Sequence, residues 1–598
     1  MRWPWSRVAQ AVMVVALGAT WGARAQEESG AGDGAAEAAL AAIADGALAD
    51  SAPSLGGEPS QGASPKAAAG TTSAARVPAD RFSWHVPDPE LDRASTLSRL
   101  EASRKAQDKA AETYLQRVLE RVDQIRRPRQ LRLGLEEAIQ RTLENNYKIQ
   151  VASYSPAVET TRVVEAEAAF DAVAFTDVTK NHIDRPTGSQ LSAANADLLN
   201  SDYGVRKVLP TGTTVSAAYA FNRTYSSSAF QQINPEYTSN FILEMRQPLL
   251  RGFGVDFNRS MIVLARNDRG ISDQAFRQQV RDVVRAVEEY YWRVVQTRRD
   301  VAITARLMAD YEAIYEYLVA RQAFDVSPVQ LAATKANLEE ARTQFVVRVS
   351  NVYDAEDRLI SAMNSPDVHL ANDIEIIPID VPRLDGLTID RLAEVQTALE
   401  YRTEIRQQEL RVESAKIVVG RQKNLELPLF DLTFRTTFDG LAGGADRSFD
   451  ELTRGKYVEY FVGVRFEVPI GNRGPKAAHK RAKLQHDQQA AQLKSALEDV
   501  ILDTNLAVRA VTTAFDAIGP SFESAEARER EVDSIVARAE RKDFVVLNQE
   551  LGSRQSLAAA RRTMLGAMVQ YNVALIDLER AKGTLLEYHN IHIPAAGE

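Results

Sequence analysis

The stretch "EMRQPLLRGFGVDFN" (residues 244–258) decides how the chain is read. Before it, "EYTSNFILEM" (236–245) is made of strand-forming residues; after it, about seventy residues follow a helical pattern with no proline. A second stretch, "RFEVPIGNRGPKAA" (465–478), has the same order: strand, proline, glycine-rich corner, long helix. Proline fixes φ and ends ladder pairing, and glycine permits the bend that follows. Pro248, Gly252 and Gly254, with Pro469 and Gly471, are therefore candidate corners where a strand hands over to a long helix. Pro428, opening the strand "LPLFDLTFRTTF" (427–438), is a third.

Working outward, the parts repeat. "LRLGLEEAIQRTLENNYKIQ" begins a helical pattern that runs from Leu131 to about Phe170, with Pro156 as its break or as a helix start. Strands and turns follow to Leu250. The first long helix carries Phe276, Val280, Val283, Val287, Tyr290, Val294 and Val301 in mostly alternating steps of four and three. Ser327-Pro328 starts a return helix. The second half repeats this with a helix over about 388–424, strands at about 428–438 and 457–468, a long helix and a return helix. The chain is an internal duplication. A helix of about 68 residues spans roughly 100 Å, and the two shorter helices of each half together nearly match it. This predicts a long, hollow or rod-like helical assembly.

The strands alternate. Phe430, Leu432, Phe434, Thr436 and Phe438 share one face of their strand, opposite Leu429, Asp431, Thr433, Arg435 and Thr437. Val458, Tyr460, Val462, Val464, Phe466 and Val468 lie opposite Tyr457, Glu459, Phe461, Gly463, Arg465 and Glu467. An apolar face against a charged one suits a soluble sheet on a core or a membrane barrel. With ten to twelve residues per strand and no second sheet to pack on, the barrel is favoured. Two strands from each half make about four per chain, below the eight at which membrane barrels begin, so several chains must share one barrel. Residues 202–225 and 237–248 supply two strands or a hairpin more; the pattern leaves both open.

Composition sets the surroundings. Residues 1–25 combine Arg2 and Arg7, an apolar run and Ala23-Arg24-Ala25, the pattern of a secretory signal peptide. Residues 26–80 are Ala-, Gly-, Ser- and Pro-rich and read as a disordered linker; 89–127 read as an extra helix or a peripheral arm. The sequence has no cysteine and seven histidines, which excludes disulfides and most zinc motifs. A formal charge of −9 does not suggest a nucleic-acid partner. After the signal no run of about eighteen uncharged apolar residues occurs, so any membrane crossing falls to strands.

With these parts in hand, the chain resembles the TolC family of outer-membrane channels. "LGLEEAIQRTLENNYKIQ", "RQPLLRGFG", "VPIGNRG", "DVSPVQLAATKANLEEA" and "YNVALIDLERAKGTLL" carry the resemblance in order over about residues 131–590. It implies a mostly α fold with a β-barrel part: a duplicated long-helix α-barrel plus a transmembrane antiparallel β-barrel shared between subunits. The repeats would be 131–366 and 387–590, joined by a linker at 367–386 and followed by a tail at 591–598. It further implies a homotrimer with twelve shared strands, no catalytic residues, no cofactor and no metal. Its partners would be a periplasmic adaptor, an inner-membrane pump and outer-membrane lipid, and it would export small molecules or proteins. By the same resemblance Asp325, Val326, Ser327 and Pro328 form the first periplasmic tip, and Asp543, Val546 and Asn548 the second. The second tip lacks the small Gly-then-Leu-Asp pattern of the family, and Gly519-Pro520 predicts a kink in the second long helix.

Other chemistry is thin. His589 and His592 in "HNIHI" lack an evident third ligand, and His479 and His486 read as surface positions. No phosphate loop, nucleophile elbow or zinc-hydrolase motif is found. Asp325 and Asp543 are candidates for an acidic, cation-selecting ring or for solvated turn residues. A soluble periplasmic helical scaffold or adaptor is the rival reading of the whole chain.

Overall fold

A computed structural model describes residues 116–593 except 122, 124–126, 128, 187–192, 229, 371–372 and 539–543. All of these belong to one compact unit, Arg76–Glu598. The predicted signal peptide, the linker and most of the 89–127 arm lie outside the described residues, as does Asp543.

The unit opens with β1 (Arg129–Leu133), α1 (Leu135–Asn145) and α2 (Tyr147–Glu167). The break predicted at Pro156 falls instead at Asn146, whose side chain accepts from the backbone N–H groups of Lys148 (2.8 Å) and Ile149 (3.3 Å). That satisfies two orphan donors and starts a new helix, which then runs through Pro156. Four strands follow: β2 (Val173–Asp184), β3 (Asn195–Val208), β4 (Thr214–Ser226) and β5 (Glu236–Pro248). The first long helix, α3 (Val255–Arg321), has 67 residues, about 100 Å at 1.5 Å each. Ser327 caps the return helix α4 (Pro328–Met363) in a capping box with Gln330, Pro328 standing in its first turn.

The stretch read as a linker, 367–386, contains β6 (Ile374–Pro378), which pairs in parallel with β1. Its Ile374 and Ile376 are buried in the core that also takes Leu133, Val284, Val287 and Tyr291. The second half has a similar order of long helices but fewer strands: α5 (Arg391–Tyr401), α6 (Thr403–Leu425), β7 (Leu429–Ala442), α7 (Ala445–Thr453), β8 (Tyr457–Glu467), α8 (Arg473–Arg538), α9 (Phe544–Lys582) and α10 (Leu585–Tyr588). The helix expected as one piece over 388–424 is broken at Arg402, which holds Asp503 (3.0 Å), Glu404 (3.2 Å) and the carbonyls of Arg580 and Ala581. The break matches the one at Asn146, a repeat feature that hydrophobic periodicity alone did not reveal.

In each half the long helix is the spine. α1, α2 and α4 pack on α3, and α5, α6 and α9 on α8. The valines predicted to line α3 are buried at 280, 283, 287, 294 and 301. The second long helix is not interrupted at Gly519-Pro520: α8 is continuous through it, and Ser521 Oγ donates to the Ile518 carbonyl at 2.8 Å.

The strand count differs from the expected four. β2, β3, β4, β5, β7 and β8 form one antiparallel six-stranded sheet in that order. The first half supplies four of its strands and the second half two. The extra pair is the further hairpin that the pattern over 202–225 and 237–248 left open, where polar residues dilute the alternation in "NADLLNSDYGVRKV".

Candidate functional site

The sheet separates its residues by face. Read across the strands, Val458, Phe438, Phe241, Tyr219, Tyr203 and Thr176 lie in one row, and Tyr460, Thr436, Leu243, Ala217, Val205 and Ala174 in the next. Aromatic neighbours knit this face, with ring centroids 5.9 Å apart for Phe430–Phe466 and 6.4 Å for Phe241–Phe438. Much of it is open: Val462 and Tyr460 are 67% and 71% exposed, and Phe434, Met245 and Val205 are also exposed. A contiguous apolar band of this kind marks a contact surface with lipid or another chain.

The opposite face is charged. The row Phe461, Arg435, Glu244, Ser216 and Arg206 carries the Arg435–Glu244 ion pair at 2.7 Å. Arg246 and Asp431 pair on the same face. Asp439, Asn240, Asp202 and Asp177 share a further row. The faces read from the alternation of β7 and β8 are thus the faces of the whole sheet.

α7 lies over one end of the apolar face. Phe449 meets Tyr219 edge-on at 6.0 Å, and Ser448 Oγ shares a hydrogen bond with Ser239 Oγ at 2.9 Å. A side chain at Gly440 would put its Cβ 2.1 Å from the Ser448 carbonyl, so only glycine lets α7 approach. This helix, absent from the sequence reading, shields Ser239 and Ser448 completely.

At the other end the predicted corners come together. Gly252 and Gly254 have φ of 86° and 107°, and Gly471 and Asn472 have 85° and 43°, so each seam uses two left-handed positions. After Pro248, Leu249 N donates to Phe430 O (2.7 Å) and Arg251 N to Pro428 O (3.3 Å), tying the first seam to the start of β7. Asn424, at the end of α6, accepts from Gly252 N (2.7 Å) and donates to Phe253 O (3.1 Å). Asn472 joins the second seam by donating to Glu426 O at 2.8 Å, and His479 meets the Glu426 carboxylate at 2.8 Å. Pro469 and Gly471 themselves stay exposed.

Sequence reasoning missed the asparagines at 258, 424 and 472, since single asparagines carry no periodic signal. It also passed over Gly212, in the turn between β3 and β4. Its Cβ would lie 2.5 Å from the Gly252 carbonyl and 2.8 Å from Asn258 Nδ2, and Gly254 N donates to Thr211 O at 3.3 Å. The β3–β4 turn therefore sits against the first corner.

The first tip is exposed at Asp325, Ser327 and Pro328, with Val326 half-buried. Phe324 (86% exposed) and Val329 flank it as apolar surface. Asp325 is held by Arg321, whose Nε donates at 3.0 Å. In α9, Asn548 is exposed and Val546 half-buried, while Leu547 between them is fully buried.

The C-terminal His589 is taken up by structure: its Nε2 lies 2.8 Å from Glu288 of α3. Among the described residues no group of three or more His, Asp or Glu side chains is placed to hold a metal, and no helix is long and apolar enough to cross a membrane.

No protein-family model matches the sequence, and no curated protein does. Solved structures do match. The outer-membrane channel OprN aligns with a TM-score of 0.57 at 13% identity, over 75% of this chain and 90% of its own. The Campylobacter jejuni CmeC outer-membrane channel aligns at 0.55 and 16%, over 75% and 86%, and the Vibrio cholerae outer-membrane protein VceC at 0.55 and 14%, over 75% and 96%. The chain has the fold of these outer-membrane channels. It is the fold that the resemblance to the TolC family implied.

Proposed function

We propose that the protein is an outer-membrane exit duct: a homotrimer whose sheets jointly close a membrane barrel and whose long helices continue it as a periplasmic tunnel. The observation that carries this reading is the six-stranded sheet. One face is an exposed apolar band, the other is charged, and among the described residues β2 and β8 each leave an unpaired edge. An open sheet cannot stand in hydrocarbon, because every edge N–H and C=O there would lack a partner. Closure with further copies removes both edges.

The corner residues Pro248, Gly252, Gly254, Pro428, Pro469 and Gly471 then turn the chain from barrel to tunnel. The tips, with Asp325, Val326, Ser327 and Pro328 on one side and Val546 and Asn548 on the other, would meet a periplasmic adaptor joined to an inner-membrane pump. The exposed Phe324 and Val329 give such a partner apolar surface to bury. Transport is passive in the duct and driven by the pump, with small molecules or proteins as cargo. Because Asp325 is paired with Arg321, it adds little net charge at the mouth.

Membrane fractionation with sizing of the unheated detergent extract tests this. A heat-modifiable outer-membrane species near three times the chain mass is expected. A soluble single-copy species would leave a periplasmic helical scaffold as the better account.

A further inference from the structure

The sheet and the helices beneath it do not carry the same number of elements. At the corner level the helices lie in the order α2–α3–α6–α8. Four strands connect directly to them: β2 follows α2, β5 precedes α3, β7 follows α6 and β8 precedes α8. The remaining two, β3 and β4, form a hairpin between β2 and β5 with no helix of its own. Its turn rests on the first corner through Gly212 and Thr211.

The widths explain the hairpin. Helices packed at about 8–10 Å give four of them a front of roughly 32–40 Å. Strands spaced 4.8 Å apart and tilted by 40° occupy about 6 Å of circumference each, so four cover about 25 Å and six about 38 Å. Six strands come nearer to the helical front than four do.

The flanks suit a second copy. β2 and β8 run in opposite directions, because five antiparallel pairings separate them, so the β8 edge of one copy can pair antiparallel with the β2 edge of the next. Below β2, α2 exposes Tyr147, Val151, Tyr154 and Val158 at helical spacing, an apolar stripe that no other described residue covers. Below β8, α8 exposes Leu484, Leu502 and Leu506. Next to the sheet, the end of α2 carries exposed Glu165 and Glu167, and the start of α8 carries exposed Lys476, Lys480 and Lys483. The two flanks are complementary in edge direction, apolar surface and charge, and a contact between unlike flanks builds rings.

We propose that the β3–β4 hairpin is part of the barrel wall, so that each copy contributes six strands and three copies close an eighteen-stranded barrel as wide as its helical ring. This rests on the channel reading above. Such a barrel has a backbone radius of about 18 Å, against about 12 Å for twelve strands. It would pass folded segments or bulky cargo without a constriction at the corner.

The absence of cysteine makes the test direct. A single spin label is placed at Leu432→Cys, or independently at Val462→Cys, and copy-to-copy distances are measured in the detergent-solubilised full-length protein beside its native mass. In a three-copy ring, equivalent backbone positions are about 31 Å apart for eighteen strands and about 21 Å for twelve, and a label on the outer face lengthens both by the same increment. Three copies at the longer spacing, at both sites, support the proposal. Three copies at the shorter spacing overturn it and leave the channel reading standing. A single-copy species with no intercopy distance overturns both.

Discussion

Arg246 and Asp431 join the two halves of the chain: Arg246 Nε donates to Asp431 Oδ2 at 3.0 Å, and Nη2 reaches the same oxygen. Arg246 stands on β5 and Asp431 on β7, the pair of strands along which the first half of the chain meets the second. The pair is lopsided, the Asp431 side chain being 3% exposed and that of Arg246 48%.

That asymmetry orders two substitutions. Removing the carboxylate leaves a guanidinium that can turn to water, costing about 1–3 kcal/mol. Removing the guanidinium strands a buried carboxylate, costing about 3–5 kcal/mol. Arg246→Ala is therefore expected to lower the unfolding temperature in detergent more than Asp431→Ala. The reverse order would show that Asp431 is solvated in the assembly.

Gly212 is expected to resist substitution. Its φ of 89° and the 2.5 Å approach of the Gly252 carbonyl leave no room for a methyl group. Gly212→Ala should cost roughly 1–3 kcal/mol in backbone strain, plus the displacement of the first corner. Gly420→Ala, where a Cβ would meet nothing within 4 Å, serves as the control and should be neutral or stabilising. Equal losses at both sites, read by thermal unfolding, would remove the β3–β4 turn from the corner.

Pro520 lies inside a continuous helix, so replacing it restores a backbone donor. Pro520→Ala should stabilise α8 by up to about 3 kcal/mol, and Gly519→Ala by about 0.5–1 kcal/mol. Slower amide exchange around 516–524 would register both. If exchange quickens instead, the Gly-Pro pair fits a bend that the assembly requires.

Glu356 gives a pH dependence. It is fully buried on α4, and burial pushes its carboxyl up to about 7. Arg298 (3.1 Å) and Arg127 (3.7 Å) pull it back down, and Glu375, itself held by Arg298, raises it further. Because the folded pKa exceeds the unfolded one, the folded state holds more protons between about 4.5 and 7. Its contribution is full below that window and is lost as pH rises through it. A shift of this size is worth about 3 kcal/mol. Glu356→Gln should flatten the fall in unfolding temperature between pH 4.5 and 7; an unchanged slope would falsify the assignment.

Residue chemistry acting locally sets the elements that carry a period. The two 60-odd-residue helices, the Ser327-Pro328 turn, the corners at Pro248 and Pro469 and the faces of β7 and β8 follow from residue types that act locally. Proline, glycine and alternating side chains constrain their own backbone whatever surrounds them. The tertiary structure alone decided what depends on distant partners. The register and neighbours of β2 and β3 come from their pairing, and β1 is completed by β6, some 245 residues away. Asn146 and Arg402 break their helices where a cap or a buried charge must be satisfied, and Gly212 and Gly440 are required only because another segment packs against them. Such contacts set the sheet's true width, because a strand's affinity for its neighbour is expressed only once the neighbour is in place.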